Sequence, residues 1–238
     1  MRDVPADAVT ALFAPERPGP VVHAHVASTG VGRCRADAVP ARTAVAEVAG
    51  NIACRGEPAV VPGLRGLVEA QPEWEPALRA VADVLVWDRI IAVLPDGAEP
   101  VGRHPVRRLT PSDVTSLAAL DPSLTWISAT WGGHAGLAAS GMGWGAFDDG
   151  RLVSVAASFF VGATYEDIGV VTAPEYRGKG LSAACAAGVV ADIRARGHRP
   201  TWTTSPDNAG SRAVAARLGF VHERDDVLYC VGVPIPVD

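Results

Sequence analysis

A strand, a glycine-containing turn and a helix follow one another from residue 166 to residue 193, and this succession limits the fold more than any other feature. The strand covers residues 166–172, and the turn ends in Arg177-Gly178-Lys179-Gly180. The next segment carries apolar residues at helical spacing, namely Leu181, Cys185, Val189 and Ile193. A strand that leads through a tight turn into an amphipathic helix predicts an α/β fold, with helices packed on a sheet.

The turn has the features of an anion-binding site. The first amides of a helix have no partner within the helix, and the helix dipole places partial positive charge there. Gly178 and Gly180 lack Cβ atoms, so the backbone can approach a phosphate, and Arg177 and Lys179 add positive charge. Lys179 is the only lysine of the chain. The loop suits a pyrophosphate, although a capped turn without a ligand has the same local sequence.

Two common phosphate loops do not fit this turn. The chain has neither the GxxxxGK[ST] pattern of P-loop NTPases nor a GxGxxG sequence after an N-terminal strand. Residues 171–182 instead resemble the acetyl-CoA-binding motif of the GCN5-related N-acetyltransferase (GNAT) superfamily, Gln/Arg-x-x-Gly-x-Gly/Ala. Arg177, Gly180 and Ser182 fall on its fixed positions, with Ser182 a small residue in place of the usual Gly or Ala.

A second segment strengthens the resemblance, which covers roughly residues 104–233. Asn208 begins a helix that closes with Leu218-Gly219-Phe220, and this segment is similar to the family's second coenzyme-contacting segment. The resemblance implies the GNAT fold, an α/β (α+β) fold with a mixed, mostly antiparallel central sheet, splayed strands and flanking helices. It also implies acetyl-CoA as co-substrate.

The resemblance assigns roles around the coenzyme. The backbone of Val170, Val171 and Thr172 would bind the pantetheine arm, and the amide of Val170 or Val171 would polarise the thioester carbonyl. The pyrophosphate would be wrapped by six consecutive residues, Arg177, Gly178, Lys179, Gly180, Leu181 and Ser182. Asn208 and Ser211 would contact the coenzyme from the following helix.

A general base is useful because an amine must be neutral to attack the thioester. Family members often carry a glutamate about ten residues before the motif, and Glu166 lies eleven before Arg177. Glu166 is therefore the predicted base, and a solvated residue or turn cap is the alternative. Asp167 should point to the opposite face of a regular strand.

The leaving thiolate lacks its usual proton donor. Many family members carry a tyrosine five residues before the Phe of the LGF segment, and here Ala215 occupies that place. Solvent or another hydroxyl (Ser211, Thr204 or Tyr229) could act instead, or catalysis could have been lost. On the acceptor side, the resemblance implies a wall formed by Trp126, Trp131 and His134. Core packing of the tryptophans and a structural role for His134 are the alternatives.

Residues 95–105 are rich in Pro and Gly and are interpreted as a connector. They divide the chain into an N-terminal α/β domain of unknown role, residues 1–100, and a GNAT domain, residues 101–238. Predicted elements of the first part are strands at Val21–Val26 and Thr43–Val48, a helix at Trp74–Val84 and a strand at Arg89–Leu94. Bacterial GNAT members with an extra N-terminal domain have a similar organisation.

Composition and charge limit the classes of partner expected for this chain. The formal net charge is −5, with 48% apolar residues, and neither half has the basic stripe of a nucleic-acid-binding protein. No membrane span or secretion signal is apparent, which favours a cytoplasmic protein. The four cysteines and six histidines show no metal-ligand spacing, so no metal is expected. A homodimer is left open.

These observations predict an N-acetyltransferase. It would transfer the acetyl group of acetyl-CoA to a primary amine of a small acceptor by direct attack in a ternary complex. The alternative is a weakly active or inactive acyl-CoA-binding module that senses or docks a partner, which Ala215 motivates. The sequence does not identify the acceptor.

Overall fold

The computed structural model describes residues 23–26, 43–48, 51–56, 84–161 and 165–231. Its strands are β1 His23–Val26, β2 Thr43–Val48, β3 Asn51–Gly56, β4 Val84–Val93, β5 Arg107–Arg108, β6 Gly143–Asp148, β7 Arg151–Val161, β8 Tyr165–Thr172, β9 Arg199–Thr204 and β10 Val221–Val231. The α-helices are α1 Val114–Ala118, α2 His134–Ser140, α3 Leu181–Ala195 and α4 Ala209–Leu218. Short 3-10 helices cover Pro111–Asp113, Pro122–Trp131 and Pro174–Tyr176. The helix predicted at Trp74–Val84 lies almost entirely outside the described residues.

Within the described residues, seven strands form one sheet in the order β10-β4-β9-β8-β7-β6-β5, and β1, β2 and β3 form a separate antiparallel sheet. Every neighbouring pair of the large sheet is antiparallel except β8 and β9. This parallel pair is joined only from Tyr165 to Asp167, opposite Arg199 to Thr201. Beyond these residues β8 and β9 continue without pairing with each other, so the two strands splay apart. The predicted mixed, mostly antiparallel sheet with splayed strands is confirmed.

Strand β4 bears on the domain boundary predicted at residue 100. It lies between β9 and β10 and pairs with both, through residues 90–93 on one side and 84–93 on the other. The boundary predicted at residue 100 would therefore cut a central strand from the large sheet. The Pro- and Gly-rich segment after β4 passes close to α3, because a Cβ on Gly102 would lie 3.1 Å from Cα of Ala184.

The large sheet is covered on both faces. Helix α3 packs on one face through the predicted apolar line, of which Cys185, Val189 and Ile193 are at most 1% exposed. The other face is covered by α1, α2 and the 3-10 helix Pro122–Trp131 in a second apolar cluster. Because side chains alternate along a strand, consecutive residues of β8 reach different layers.

Candidate active site

A cleft of about 410 Å³ opens where β8 and β9 splay. Its walls come from β8, the loop before α3, the end of β9, the start of α4 and the 3-10 helix Pro122–Trp131. The residues concerned include Val170, Val171, Thr172, Arg177, Gly178, Ser182, Asn208 and Ser211. The structure thus brings eight of the predicted coenzyme residues together in one cleft. Lys179 and Gly180 belong to the same loop and Leu181 begins α3, but these three residues do not line the cleft.

The backbone of β8 distinguishes between the two valines. The amide of Ala173 donates to the carbonyl of Val153 on β7, at 2.9 Å. Alternate residues of an antiparallel strand bond to the same neighbour, so Val171 also faces β7. The amides and carbonyls of Val170 and Thr172 consequently point away from β7, toward the gap in which β8 and β9 no longer pair.

The loop before α3 is held by the end of β8. Gly178 and Gly180 have φ angles of 75° and 82°, in the left-handed region that glycine adopts without strain. Nε of Arg177 donates to the carbonyl of Thr172 at 3.3 Å. Oγ1 of Thr172 lies 2.9 Å from Oγ of Ser182. Ser182, the departure from the family motif, therefore fastens the first turn of α3 to the strand.

Lys179 lies on the outer side of this loop. Its Nζ atom is 4.5 Å from the centre of the Tyr176 ring, and the Tyr176 hydroxyl donates to Asp148 at 2.6 Å. His104 and Arg217 lie close to the end of the loop, because a Cβ on Gly180 would lie 3.4 Å and 3.8 Å from their side-chain nitrogens. Basic side chains thus flank the loop at both Lys179 and Gly180.

Helix α4 begins at the opposite wall of the cleft. Oδ1 of Asn208 accepts from the amide of Ser211 at 2.7 Å, which caps the helix. Oγ of Ser211 accepts from Nε1 of Trp202 at 2.9 Å. Ala215 is 6% exposed, so no phenol projects from the family's tyrosine position.

Asp167 occupies the apex of the cleft, where the paired part of β8 and β9 ends. It is 3% exposed and accepts hydrogen bonds from Oγ1 of Thr201 at 2.9 Å and of Thr203 at 2.5 Å. Burial raises the pKa of Asp167 from its ordinary 3.8 to about 6, against the opposing effects of the two threonines and of the buried Arg89. A carboxylate with this pKa is ionised at neutral pH and accepts a proton readily.

Glu166 lies on the α3 side of the same strand and does not line the cleft. Its carboxylate, 0% exposed, accepts from Nε and Nη2 of Arg196 at 2.9 and 2.6 Å, and lies 2.7 Å from Nδ1 of His198. Burial alone would raise the pKa of Glu166, but Arg196, Ser158 and His198 outweigh it and hold that pKa below its ordinary value. The structure therefore assigns Glu166 an internal ion pair, at a distance from the predicted chemistry.

The acceptor wall differs from the prediction in two of its three residues. Trp126 lines the cleft and meets Phe159 edge to face, with ring centroids 5.3 Å apart. Trp131 is 6% exposed and donates from Nε1 to the carbonyl of Ser158, so it belongs to the core. His134 does not line the cleft, and its Nδ1 lies 3.0 Å from Oγ of Ser128.

A bulge in β7 explains why Phe159 reaches the cleft. Ser158 is opposite Ile168 and Phe160 is opposite Asp167, so Phe159 is an extra residue in the ladder. Gly169 makes room beside it, because a Cβ there would lie 3.1 Å from Cβ of Phe159. Neither the bulge nor the role of Phe159 could be read from an alternation pattern.

Comparisons with known proteins agree with this geometry. A family model described as GNAT acetyltransferase matches residues 106–229. The chain is 43% identical over 200 residues to an N-acetyltransferase of Streptomyces virginiae named only by its position in the mutA 5′ region, covering 78% of this chain and 84% of that protein. It is 30% identical over 102 residues to the N-acetyltransferase YdfB of Bacillus subtilis, covering 43% and 39% of the two chains.

Solved structures show the same fold. A GNAT-family acetyltransferase structure from Novosphingobium aromaticivorans is 26% identical, covers 65% of this chain and 68% of its own, and has a TM-score of 0.51. One from Colwellia psychrerythraea is 12% identical, covers 79% and 80%, and has a TM-score of 0.53, which concerns the fold alone. The fold, together with these matches, defines an acetyltransferase. The chain belongs to the GNAT acetyltransferase family.

Two features are absent from the described part of the chain. Within it, no cluster of three His, Cys, Asp or Glu side chains is arranged to hold a metal ion. No helix there has the length and apolar character needed to cross a bilayer.

Proposed function

We propose that this protein transfers the acetyl group of acetyl-CoA to the primary amine of a small molecule, in a ternary complex. The observation that carries the proposal is the juxtaposition of Asp167 with the splayed strands and the glycine loop of one cleft. The loop supplies an anion site and the strand supplies free backbone groups. The apex supplies a proton acceptor.

Three structural features support a fit to coenzyme A. The first amides of the 15-residue helix α3 and the glycines of its loop suit the pyrophosphate. The cleft-facing backbone of Val170 and Thr172 suits the amide groups of pantetheine, as an added strand would. Asn208 and Ser211 contribute polar groups on the other wall.

Asp167 is the proposed general base in place of Glu166. The acceptor amine binds as an ammonium ion, and the Asp167 carboxylate takes one of its protons, which later passes to solvent. The neutral nitrogen then forms a bond to the acyl carbon of the thioester, which acetyl-CoA supplies when bound. Thr201 and Thr203 each donate to one oxygen of the carboxylate and so hold it in place at the lining of the cleft.

The amide of Val170 is the proposed donor to the thioester oxygen. Of the two valines, Val170 is the one whose backbone points into the gap between β8 and β9. A fixed donor at that oxygen stabilises the charge that develops there during attack. Collapse of the adduct breaks the carbon–sulfur bond and releases the thiolate, which takes up the second proton from the nitrogen through solvent or through Ser211 or Thr204.

Ala215 favours a second candidate function, an acyl-CoA-binding module of low activity. The buried methyl group leaves the thiolate without the phenol that many relatives place there. The two functions differ in one measurement. Acetyl-CoA is incubated with the protein and a series of primary amines, and free thiol is measured beside calorimetric coenzyme A binding. Amine-dependent thiol release supports the transferase, whereas tight binding without release with every amine supports the module.

A further inference from the structure

Among the described residues that line the cleft, only Asp167 and Arg177 carry a charge. Arg177 belongs to the phosphate loop, bonded to the end of β8. The acceptor wall consists of Ser123, Leu124 and Trp126 from the 3-10 helix, with Phe159 beside them. As far as the described residues go, this wall is apolar apart from the Ser123 hydroxyl, and it lines the same cleft as the Asp167 carboxylate.

The geometry points to the class of acceptor: a primary monoamine on an apolar, preferably aromatic, body that lacks a carboxylate, a phosphate or a second ammonium group. This inference rests on the proposed function and narrows its substrate. The ammonium end is complementary to Asp167. The body is complementary to the Trp126–Phe159 pair, which is arranged edge to face as aromatic clusters prefer.

The charges of the wall argue against the other common amines. An amino acid would bring a carboxylate into the cleft, and none of the described lining residues on this side is a cation that could pair with it. A polyamine would bring a second ammonium group, and among the described lining residues Asp167 is the only one with a carboxylate. Arg89 acts on Asp167 from inside the fold, where it is 1% exposed, so it does not serve as a partner for the acceptor.

Size sets a further limit. The cleft of about 410 Å³ must also hold the thioester end of the coenzyme, whereas typical sites for drug-sized ligands have about 300 to 1,000 Å³ for the ligand alone. This volume favours an acceptor the size of a single ring with a short aminoalkyl chain over a large oligosaccharide or a folded protein surface.

Matched amines test the inference in the full-length protein. The first set is 2-phenylethylamine, L-phenylalanine and L-phenylalaninamide. Phenylalanine adds a carboxylate to the 2-phenylethylamine skeleton, and phenylalaninamide adds an uncharged amide at the same position. The second pair is hexylamine and 1,6-diaminohexane. We expect kcat/KM to be at least tenfold higher for 2-phenylethylamine than for phenylalanine, and for hexylamine than for the diamine. Phenylalaninamide should lie closer to 2-phenylethylamine. Equal or better use of phenylalanine or the diamine overturns the inference.

Failure of the proposed function gives a different result. If none of these amines yields thiol, the transferase proposal fails, and calorimetry in the presence of coenzyme A tests the acceptor class separately. Binding of 2-phenylethylamine at least tenfold tighter than phenylalanine still supports the class. Equal binding of the two, or binding of neither, overturns it.

A charge introduced into the wall provides a second arm. Ser123 is exposed and lines the cleft, so Ser123→Lys places an ammonium group beside the acceptor body. Ser112→Lys, at an exposed position of the neighbouring 3-10 helix that does not line the cleft, is the matched control. The preference for 2-phenylethylamine over phenylalanine should fall at least threefold in Ser123→Lys and stay unchanged in the control. An unchanged preference in both variants removes this wall from the acceptor site.

An aromatic substitution separates binding from chemistry. Trp126→Leu should raise KM for 2-phenylethylamine at least fivefold with little change in kcat, and Trp126→Phe should restore most of the affinity. Thermal unfolding of both variants verifies that the 3-10 helix is intact. A fall in kcat with unchanged KM, in variants that fold normally, contradicts the role of Trp126 in holding the amine.

Discussion

Replacement of Asp167 by asparagine tests the catalytic base most directly. The side chain keeps its size and an oxygen that can accept from Thr201 or Thr203, but it loses the ability to take a proton. Positioned general bases contribute about 10²- to 10⁴-fold to rates, so we expect kcat to fall by about that factor. Coenzyme A binding, measured by calorimetry, should be unchanged because the carboxylate lies at the apex and not at the phosphate loop.

The pKa of Asp167 sets the pH dependence. With a pKa of about 6, the carboxylate is about 97% ionised at pH 7.5 and about 9% ionised at pH 5. The wild-type rate should therefore fall about tenfold over this interval, relative to the profile of Asp167→Asn with the same amine. The comparison removes the titration of the amine, which is common to both profiles. A ratio that is constant from pH 5 to pH 7.5 would refute the assignment.

Stability should move in the opposite direction from activity. Asp167 has a higher pKa in the folded state than its ordinary 3.8, so its ionisation disfavours the folded state as the pH rises through this range. A difference of about two units corresponds to about 3 kcal/mol at pH 7.5. Urea unfolding should accordingly show Asp167→Asn to be at least as stable as wild type at that pH. An inactive variant that is also strongly destabilised would leave misfolding as the cause and contradict this reasoning.

Four further outcomes are expected. Gly180→Val, at φ 82°, should abolish calorimetric coenzyme A binding, whereas Gly197→Val, at φ 78° beyond the other end of α3, should not. Lys179→Ala should weaken that binding only about two- to fivefold; total loss would show a larger role. Glu166→Gln should lower the free energy of unfolding by about 3 kcal/mol and leave kcat unchanged, because it breaks a buried ion pair outside the cleft. In the wild type, the stabilisation by Glu166 should be lost as the pH falls below about 4.5, where the carboxylate is protonated in the unfolded state. Loss of kcat in Glu166→Gln would restore Glu166 as the base. The fragment 101–238 should be unfolded by circular dichroism because it lacks β4, and cooperative melting would contradict this.

The elements around the coenzyme loop could be predicted from the sequence because each depends on residues that are close together in the chain. The sequence predicts a strand pair at Gly143–Phe147 and Arg151–Val161, joined by the turn Asp148-Asp149-Gly150. The structure places β6 and β7 within one residue of these bounds. The spacing from Cys185 to Ile193 predicted the buried face of α3. Arg177, Gly180 and Ser182 could be recognised because a phosphate loop depends on consecutive residues.

The base and the acceptor wall could not be predicted in the same way, because they depend on long-range pairing. The alternation of side chains along a strand predicts that Glu166 and Asp167 lie on opposite faces. Which of the two faces holds Arg196 and His198, the partners of Glu166, is decided by the packing of α3. Phe159 enters the cleft through a bulge in the ladder with β8. The position of β4 between β9 and β10 is likewise decided by pairing across the chain and not by its own apolar sequence.

The central claim is that the cleft between β8 and β9 transfers acetyl groups to amines. It is tested most directly by incubating the full-length protein with acetyl-CoA and 2-phenylethylamine, and quantifying coenzyme A thiol and N-acetylated amine together by mass spectrometry. We predict equal amounts of both products for the wild type, and loss of both in Gly180→Val and Asp167→Asn. Thiol without acetylated amine, or neither product with any primary amine despite tight coenzyme A binding, would contradict the claim.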